Sequence, residues 1–522
     1  MATASETPHI ALTLRDHLPI LQVLIPLCTA PLIVLLGDRR VAWGLAFLAA
    51  MLSLVVSFLL MMQVMDGSFI SYHLGGWAPP IGIEYRIDAA NAFVLLLISL
   101  TATLVLPFAL RSVADEIPAR SHTLFYACFT LVLTGLLGVV ATGDAFNVFV
   151  FLEISSLATY VLVSQGLYRD KRALSAAYDY LIMGTIGATF FVIGIGFLYM
   201  TTGTLNMADM AERLVGQGDN RTVQAAFAFI VVGMGLKVAI YPLHLWLPAA
   251  YNYAPSAVTV FLAATSTKAA VYVLLRFMFS VFQPEFVFDT NLLLWILAPF
   301  ALLAMFAASL IAVFQTNFKR MLAYSSIAQI GYMLLGISLF SVTGLSATMV
   351  HLFNHGITKA ALFMAVGALV LRSGNTFYDR IEGMGRVMPL TGAAVVLGGL
   401  SLIGVPGTAG FISKWVLVQA AFEAGLWWIA LLIVASSLLA VIYMWRVVEI
   451  LYLHTPHPEA IHKEAPLSMV IPMWIAAGAC VWFGIDTSLT MGAANTAAIG
   501  LMGGTDGMAL TPTVGGLLGN GH

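Results

Sequence analysis

Ionisable side chains stand inside the apolar stretches of this sequence, and their spacing sorts them into groups. Glu153 lies in DAFNVFVFLEISSLATYVLV, with Phe149, Ser156 and Tyr160 at helical spacing. Lys237 is followed by Tyr241 at i+4 and His244 at i+7, which on a continuous helix puts three proton-bearing groups on one face. Lys268 has Tyr272 at i+4 and Arg276 at i+8. His351, His355 and Lys359 follow one another at i, i+4 and i+8 in HLFNHGITKAALF. Lys414 comes seven residues after Gly407 in GVPGTAGFISKWVLV.

An isolated charge in such surroundings is costly, so it pairs with an opposite charge or exchanges its proton. A Glu153–Lys237 pair is then a two-state element. With the carboxylate close the lysine keeps its proton, and when the carboxylate moves or is neutralised the lysine can release it. Histidine exchanges protons between two nitrogens near neutral pH, which suits a relay. Lysines and histidines repel a bare cation but tolerate a migrating proton, so Glu153, Lys237, Lys268, His355 and Lys414 read as a proton path. Asp144 and Asp179 are the best oxygen donors for sodium near the spans, and direct sodium coordination is not expected. Two histidines four apart invite a zinc reading, but Leu352, Phe353 and Asn354 stand where HEXXH requires its glutamate, so no metal site is expected. Arg276, near a helix end, reads as snorkelling to lipid headgroups.

These groups need a housing, and composition supplies it. Of 522 residues, 60% are hydrophobic and 9% charged, against about 25% charged in soluble domains. Apolar runs of roughly 20 residues recur throughout, the length needed to cross a bilayer. The expected fold is an all-α integral membrane protein with fourteen spans: 19–36, 42–63, 89–110, 122–141, 145–166, 176–200, 225–249, 256–279, 291–314, 321–340, 344–371, 388–421, 426–451 and 468–488. Pro242 inside the seventh and Gly404-Val405-Pro406-Gly407 inside the twelfth predict broken helices, tolerated only where freed backbone groups face protein or water. Spans four to eight and nine to thirteen form two five-helix blocks, each with its fourth member interrupted, the pattern of inverted transporter repeats. This divides the chain into 1–121, an N-terminal three-helix region; 122–280 and 291–451, the two repeats; and 452–522, a last helix and Gly-rich tail that is not read as a fifteenth span.

Loops after odd-numbered spans hold thirteen Lys and Arg, from Arg39 to Lys463, against three in the even-numbered loops. The positive-inside rule places the former in the cytoplasm and both termini on the other side. Residues 66–88 read as a small hairpin or surface loop. Residues 1–18 lack the apolar core of a cleavable signal. Cys28, Cys128 and Cys480 read as small buried hydrophobes, and Gly187 and Gly194 as helix-packing contacts. No nucleic-acid, flavin, quinone or other cofactor site is expected, and the hydropathy excludes a soluble enzyme.

Several stretches resemble the antiporter-like family shared by respiratory complex I and the multisubunit Mrp cation/proton antiporters. They are TGDAFNVFVFLEISSLATYVLV, LKVAIYPLHLWLPAAYNYAPSAV, TSTKAAVYVLLR, FKRMLAYSSIAQIGY, HLFNHGITKAALFM and GVPGTAGFISKW, and the likeness covers nearly the whole chain. FNVFVFLEISSLATYVLV, the chain length and Lys414 are most similar to the D-type branch of the Mrp antiporter subunits. The resemblance implies that Glu153, Lys237, Lys268 and Lys414 form a central hydrophilic axis, with His351 and His355 on the eleventh span; His244 and Lys359 join the candidates from their own spacing. It implies a bacterial cell-membrane location, hydrophobic partner subunits, and protons exchanged for Na+ or K+. The alternative it leaves open is a proton-pumping module of an NADH dehydrogenase or hydrogenase-type complex, in which any redox activity belongs to the parent assembly. A non-transporting scaffold would have to carry four buried charges at several kcal/mol each.

Overall fold

A computed structural model describes residues 14–282, 290–456 and 463–503. The chain runs α1 (Leu18–Leu36), α2 (Arg39–Val64), β1 (Ile70–His73), β2 (Glu84–Ile87), α3 (Ala89–Glu116), α4 (His122–Ala141), α5 (Ala145–Ser164), α6 (Arg172–Thr202), α7 (Met207–Leu214), α8 (Arg221–Val238), α9 (Trp246–Tyr253) and α10 (Ser256–Leu275). It continues with α11 (Thr290–Leu303), α12 (Phe318–Ser338), α13 (Val342–Ser373), α14 (Pro389–Ile403), α15 (Ala409–Glu423), α16 (Trp427–Leu453), α17 (Leu467–Ile485) and α18 (Ser488–Leu501). Thirteen helices among the described residues are long and apolar enough to cross a membrane. α14 and α15, of 15 residues each and parted by residues 404–408, lie where the broken crossing over 388–421 is expected.

Helix starts follow local chemistry. Asp38, Asp88, Asp144, Asn317 and Ser341 each precede an apolar run, and each side chain accepts a first-turn N–H. Those donors have no intrahelical partner, so a short polar residue there sets where the helix begins. Residues 70–73 and 84–87 pair antiparallel, with Ile70 opposite Ile87 and His73 opposite Glu84, so the hairpin expected over 66–88 forms.

The order of burial is the reverse of that in a water-soluble bundle. The helices with the most polar side chains lie innermost: α10 with its continuation to Val281, and α12, bury 94% of their apolar cores, and α13 buries 83%. α6 and α16 bury 39% and present their remaining apolar side chains outward. Lipid solvates an aliphatic surface, whereas a lysine or histidine needs protein partners. Gly187 and Gly233 let α6 and α8 close on each other, since a Cβ at either would sit 2.9 or 2.6 Å from the carbonyl oxygen of the other.

The structure amends two expectations. Cys28 is exposed and Cys128 half-buried, leaving Cys480 the buried thiol of the three. The start of the tail is helical: SLTMGAANTAAIGL forms α18, whose buried alanines Ala493, Ala494, Ala497 and Ala498 form one closely packed face. At 14 residues α18 is too short to span a bilayer. The rest of the tail and most of the N-terminal segment read as lacking a signal lie outside the described residues.

Candidate functional site

The two broken helices create the site's ends. α8 stops at Val238, one residue after Lys237, and Ala239 takes φ +64°. Pro242 has no N–H to continue the helix and restricts the residue before it. The face expected to carry Lys237, Tyr241 and His244 therefore does not exist as a helical stripe. Tyr241 and His244 instead lie in the irregular link to α9 and stack on each other at 4.8 Å between ring centroids. His244 also faces Tyr324 of α12 at 6.4 Å.

Glu153 and Lys237 meet. Nζ of Lys237 lies 3.7 Å from Oε1 of Glu153 and donates to Oγ of Ser156 at 2.7 Å. The pair is asymmetric, since the Lys237 side chain is 7% exposed and that of Glu153 25%, so the carboxylate reaches the rim of the bundle rather than its depth. Oε1 itself is shielded and accepts no hydrogen bond.

The interior continues the line. Lys268, on α10, donates to the carbonyl of Ala263 and stands within electrostatic reach of His351, His355 and Lys359. Lys359 donates to the Leu322 carbonyl at 2.7 Å and to Oγ of Ser325 at 2.5 Å. His351 and His355 are stacked with centroids 5.7 Å apart, one turn of α13 bringing them together as their spacing predicts. Nδ1 of His351 hydrogen-bonds Oγ of Ser413 at 2.8 Å, while its Nε2 and both nitrogens of His355 are buried with no protein partner. Such atoms call for water or a mobile proton.

Lys414, on α15, reaches back across the second break. Its Nζ donates to the carbonyls of Leu402 at 3.1 Å and Ile403 at 2.8 Å, and lies 4.8 Å over the ring of Tyr332. Those carbonyls are free because α14 ends at Ile403, with Gly404 at φ +89°. On α12, Ser325 and Tyr332 touch Lys359 and His351 respectively. The structure thus places Lys268, His351, His355, Lys359 and Lys414 in one buried region and Glu153 with Lys237 at its rim. His244 lies on the side that faces α12.

Two charged groups escaped the sequence reading. Arg276 does not snorkel: its side chain is 13% exposed and binds Asp88 through two contacts of 2.7 and 2.8 Å, with Nε donating to the Tyr272 hydroxyl at 3.0 Å. Burial opposes ionisation of Asp88, but the Arg276 guanidinium, the Asn91 N–H and Arg86 together hold the carboxyl below its ordinary range. Lys319, counted among loop cations, is buried and donates to the Ala254 carbonyl at 3.2 Å. Its signal was present in FKRMLAYSS, where the lysine falls within the first turn after the Asn317 cap. Asp144 serves as the α5 cap, accepting from Asn147 N at 2.7 Å, and Asp179 is exposed on the outer side of α6, so the two oxygen donors considered for sodium have separate settings. Among the described residues, no three His, Cys, Asp or Glu converge as a metal site would require.

A bundle of crossing helices with two interruptions, and a charged line running between them through three enclosed helices, defines a multi-pass integral membrane protein of the ion-translocating class. The chain belongs to the NADH:quinone oxidoreductase/Mrp antiporter transmembrane family, whose characteristic region matches residues 142–440. It is 39% identical over 485 residues to NADH-quinone oxidoreductase subunit N of Desulforudis audaxviator, covering 90% of this chain and 96% of that one. It is 32% identical over 437 residues to the Na(+)/H(+) antiporter D subunit of Alkalihalophilus pseudofirmus, covering 83% and 86%. Its fold superposes with a TM-score of 0.87 on a chain of the Mrp complex from a Dietzia species, at 26% identity, covering 95% of this chain and 98% of the other.

Proposed function

We propose that this chain is a proton-translocating subunit of a multisubunit monovalent cation/proton antiporter of a bacterial cell membrane, exchanging H+ for Na+ or K+ beside other hydrophobic subunits. The observation that carries this reading is the line of proton-bearing groups from the Glu153–Lys237 contact to Lys414, with nitrogens of His351 and His355 left open for proton exchange. Glu153 holds Lys237 charged while they touch; Lys268, His244, the His351–His355 stack and Lys359 pass the proton; Lys414 ends the line beside the second break. The matching breaks after Val238 and Ile403 support two inverted five-helix repeats, 122–280 and 291–451. Thirteen basic residues in alternate loops against three support a cytoplasmic position for those loops and an external one for both termini.

A second reading, a proton-pumping module of a redox-driven complex, is favoured by the 39% identity to an NADH-quinone oxidoreductase subunit N. The same axis serves both, and the driving force distinguishes them.

The test is cation-dependent dissipation of ΔpH in everted vesicles bearing the complete assembly, native and with Glu153→Gln or Lys237→Ala, each scored for assembly. Removing either half of the pair should lower Na+- or K+-driven exchange at least tenfold in assembled complexes. Native rates in both variants would remove the pair from the route. Proton pumping only with an electron donor, and no cation exchange in the native complex, would select the redox reading.

A further inference from the structure

The axis needs a place to take up protons from water, and the structure offers one away from the residues above. A cavity of about 340 Å³ opens at the end of the bundle that carries Arg169 and Arg172, where the basic loops lie. Glu116, the last residue of α3, and Lys319, at the start of α12, line it, and both side chains are buried.

We propose that Glu116 and Lys319 are the water-side loading pair of the proton path, Glu116 exchanging protons with cavity water and Lys319 relaying them to Lys359. This rests on the reading of the axis as a proton path.

Charge pairing around the cavity singles these two out. Arg169 is neutralised by Asp115 and also donates to the Gly374 carbonyl. Arg172 is neutralised by Asp170 at 2.7 Å and lies over the Tyr253 ring. Glu116 and Lys319 have only uncharged hydrogen-bond partners, and the charges of Glu116 and Arg169 both act on Lys319. Oε1 of Glu116 accepts from the Ser112 hydroxyl at 2.6 Å and Oε2 from Ser256 N at 3.0 Å; Lys319 donates to the Ala254 carbonyl. They thus hold the two sides of one link, Ala254-Pro255-Ser256, which joins α9 of the first broken crossing to α10, the helix of Lys268. Lys359 binds the Leu322 carbonyl, three residues beyond Lys319, roughly one helical turn (about 5 Å) deeper.

The proton balance is simple. A hydronium in the cavity gives its proton to the Glu116 carboxylate and leaves water. Neutral Lys319 takes that proton and restores the carboxylate. Neutral Lys359 takes it from Lys319, and the reverse order releases a proton to the cavity.

A purely structural role is the competing account, because a carboxylate at the α10 N-terminus and an ammonium at the α9 C-terminus are favourable caps. Glu116→Gln separates the two, since an amide oxygen still accepts from Ser256 N but the side chain no longer titrates. In the complete assembly, Glu116→Gln should lower cation-driven proton exchange at least tenfold, with assembly and melting temperature unchanged, and Glu116→Asp should recover part of the rate. Lys319→Met should lower the rate similarly. Native exchange in Glu116→Gln overturns the proposal. If native exchange is present and Glu153→Gln abolishes it, that failure belongs to the loading pair alone; no exchange in the native complex is a failure of the functional reading itself.

Should Glu116→Gln not assemble, Asn375→Cys on the cavity wall decides. A membrane-impermeant cationic thiol reagent added to everted vesicles should modify that thiol and slow exchange several-fold, with no such loss in the parent protein. Modification only from the opposite face, or modification without effect on the rate, overturns the proposal.

Discussion

A lysine held by main-chain carbonyls can give up its proton without leaving a buried carboxylate behind. Lys268, Lys319, Lys359 and Lys414 are all held in this way, by Ala263, Ala254, Leu322 and the Leu402–Ile403 pair. Lys237, by contrast, touches a carboxylate. On the proposed reading of the axis, charging and discharging Lys268, Lys359 and Lys414 therefore changes the local field without stranding an anion against them. Asp144, outside the spans, shows the opposite behaviour of an isolated acid. Burial pushes its carboxyl up, against the main-chain N–H groups of Asn147 and Phe146. A raised native value means protonation favours the fold, so its contribution is fully present below the ordinary aspartate value of about 3.8 and is lost as pH rises through the native value. Asp144→Asn keeps an acceptor for Asn147 N and removes the charge. The assembled variant should melt above the native complex at neutral pH, with the gap closing as pH falls toward 4, whereas Asp144→Ala should cost about 1 kcal/mol through loss of the cap. A lower melting temperature for Asp144→Asn at neutral pH would contradict this.

At the scale of elements, the two breaks do different work. The first removes Tyr241 and His244 from the Lys237 helix and turns the imidazole toward α12; the second frees two carbonyls for Lys414. Gly404 and Gly407 both have positive φ, +89° and +85°, so alanine at either costs about 1–2 kcal/mol of backbone strain. Only at Gly404 would the new Cβ approach Lys414, 3.0 Å from its Cδ; at Gly407 nothing lies within 4 Å. Gly404→Ala should therefore reduce exchange at least tenfold while Gly407→Ala lowers stability with a far smaller loss of rate. Equal losses, at equal assembly, would mean that the backbone of the break matters and the seat of Lys414 does not. The sequence announced both breaks through Pro242, Pro406 and their glycines, and it announced the His351–His355–Lys359 stripe because α13 is regular throughout. It misdirected at Tyr241 and His244 because i+4 spacing has meaning only while a helix continues. Arg276 was misjudged for a related reason: its partner, Asp88, is 188 positions away, beyond the reach of any local pattern.

Across the whole molecule, α3 and α10 run antiparallel and are fastened at both ends by carboxylates. Glu116 at the end of α3 holds the first N–H of α10, and Asp88 at the start of α3 holds Arg276 at the far end of α10. Lys268 sits between these fastenings. The Asp88–Arg276 end lines a second cavity, of about 520 Å³, so α3 runs from one cavity to the other. Arginine does not deprotonate in a protein, so this pair cannot take the proton-passing role proposed for Lys237. The pair instead fastens the helix that carries Lys268 to α3. Breaking a buried pair from one side leaves an uncompensated charge and costs about 3–5 kcal/mol, whereas removing both charges costs much less. Arg276→Gln and Asp88→Asn should each lower the melting temperature of the assembled complex, and the double variant should melt above Arg276→Gln. Asparagine at 88 keeps an acceptor for the α3 N-terminus, so loss of the cap does not confound the comparison. Additive losses in the double variant would show that the two residues stabilise the fold separately, and the fastening of α10 at this end would then have to be sought elsewhere.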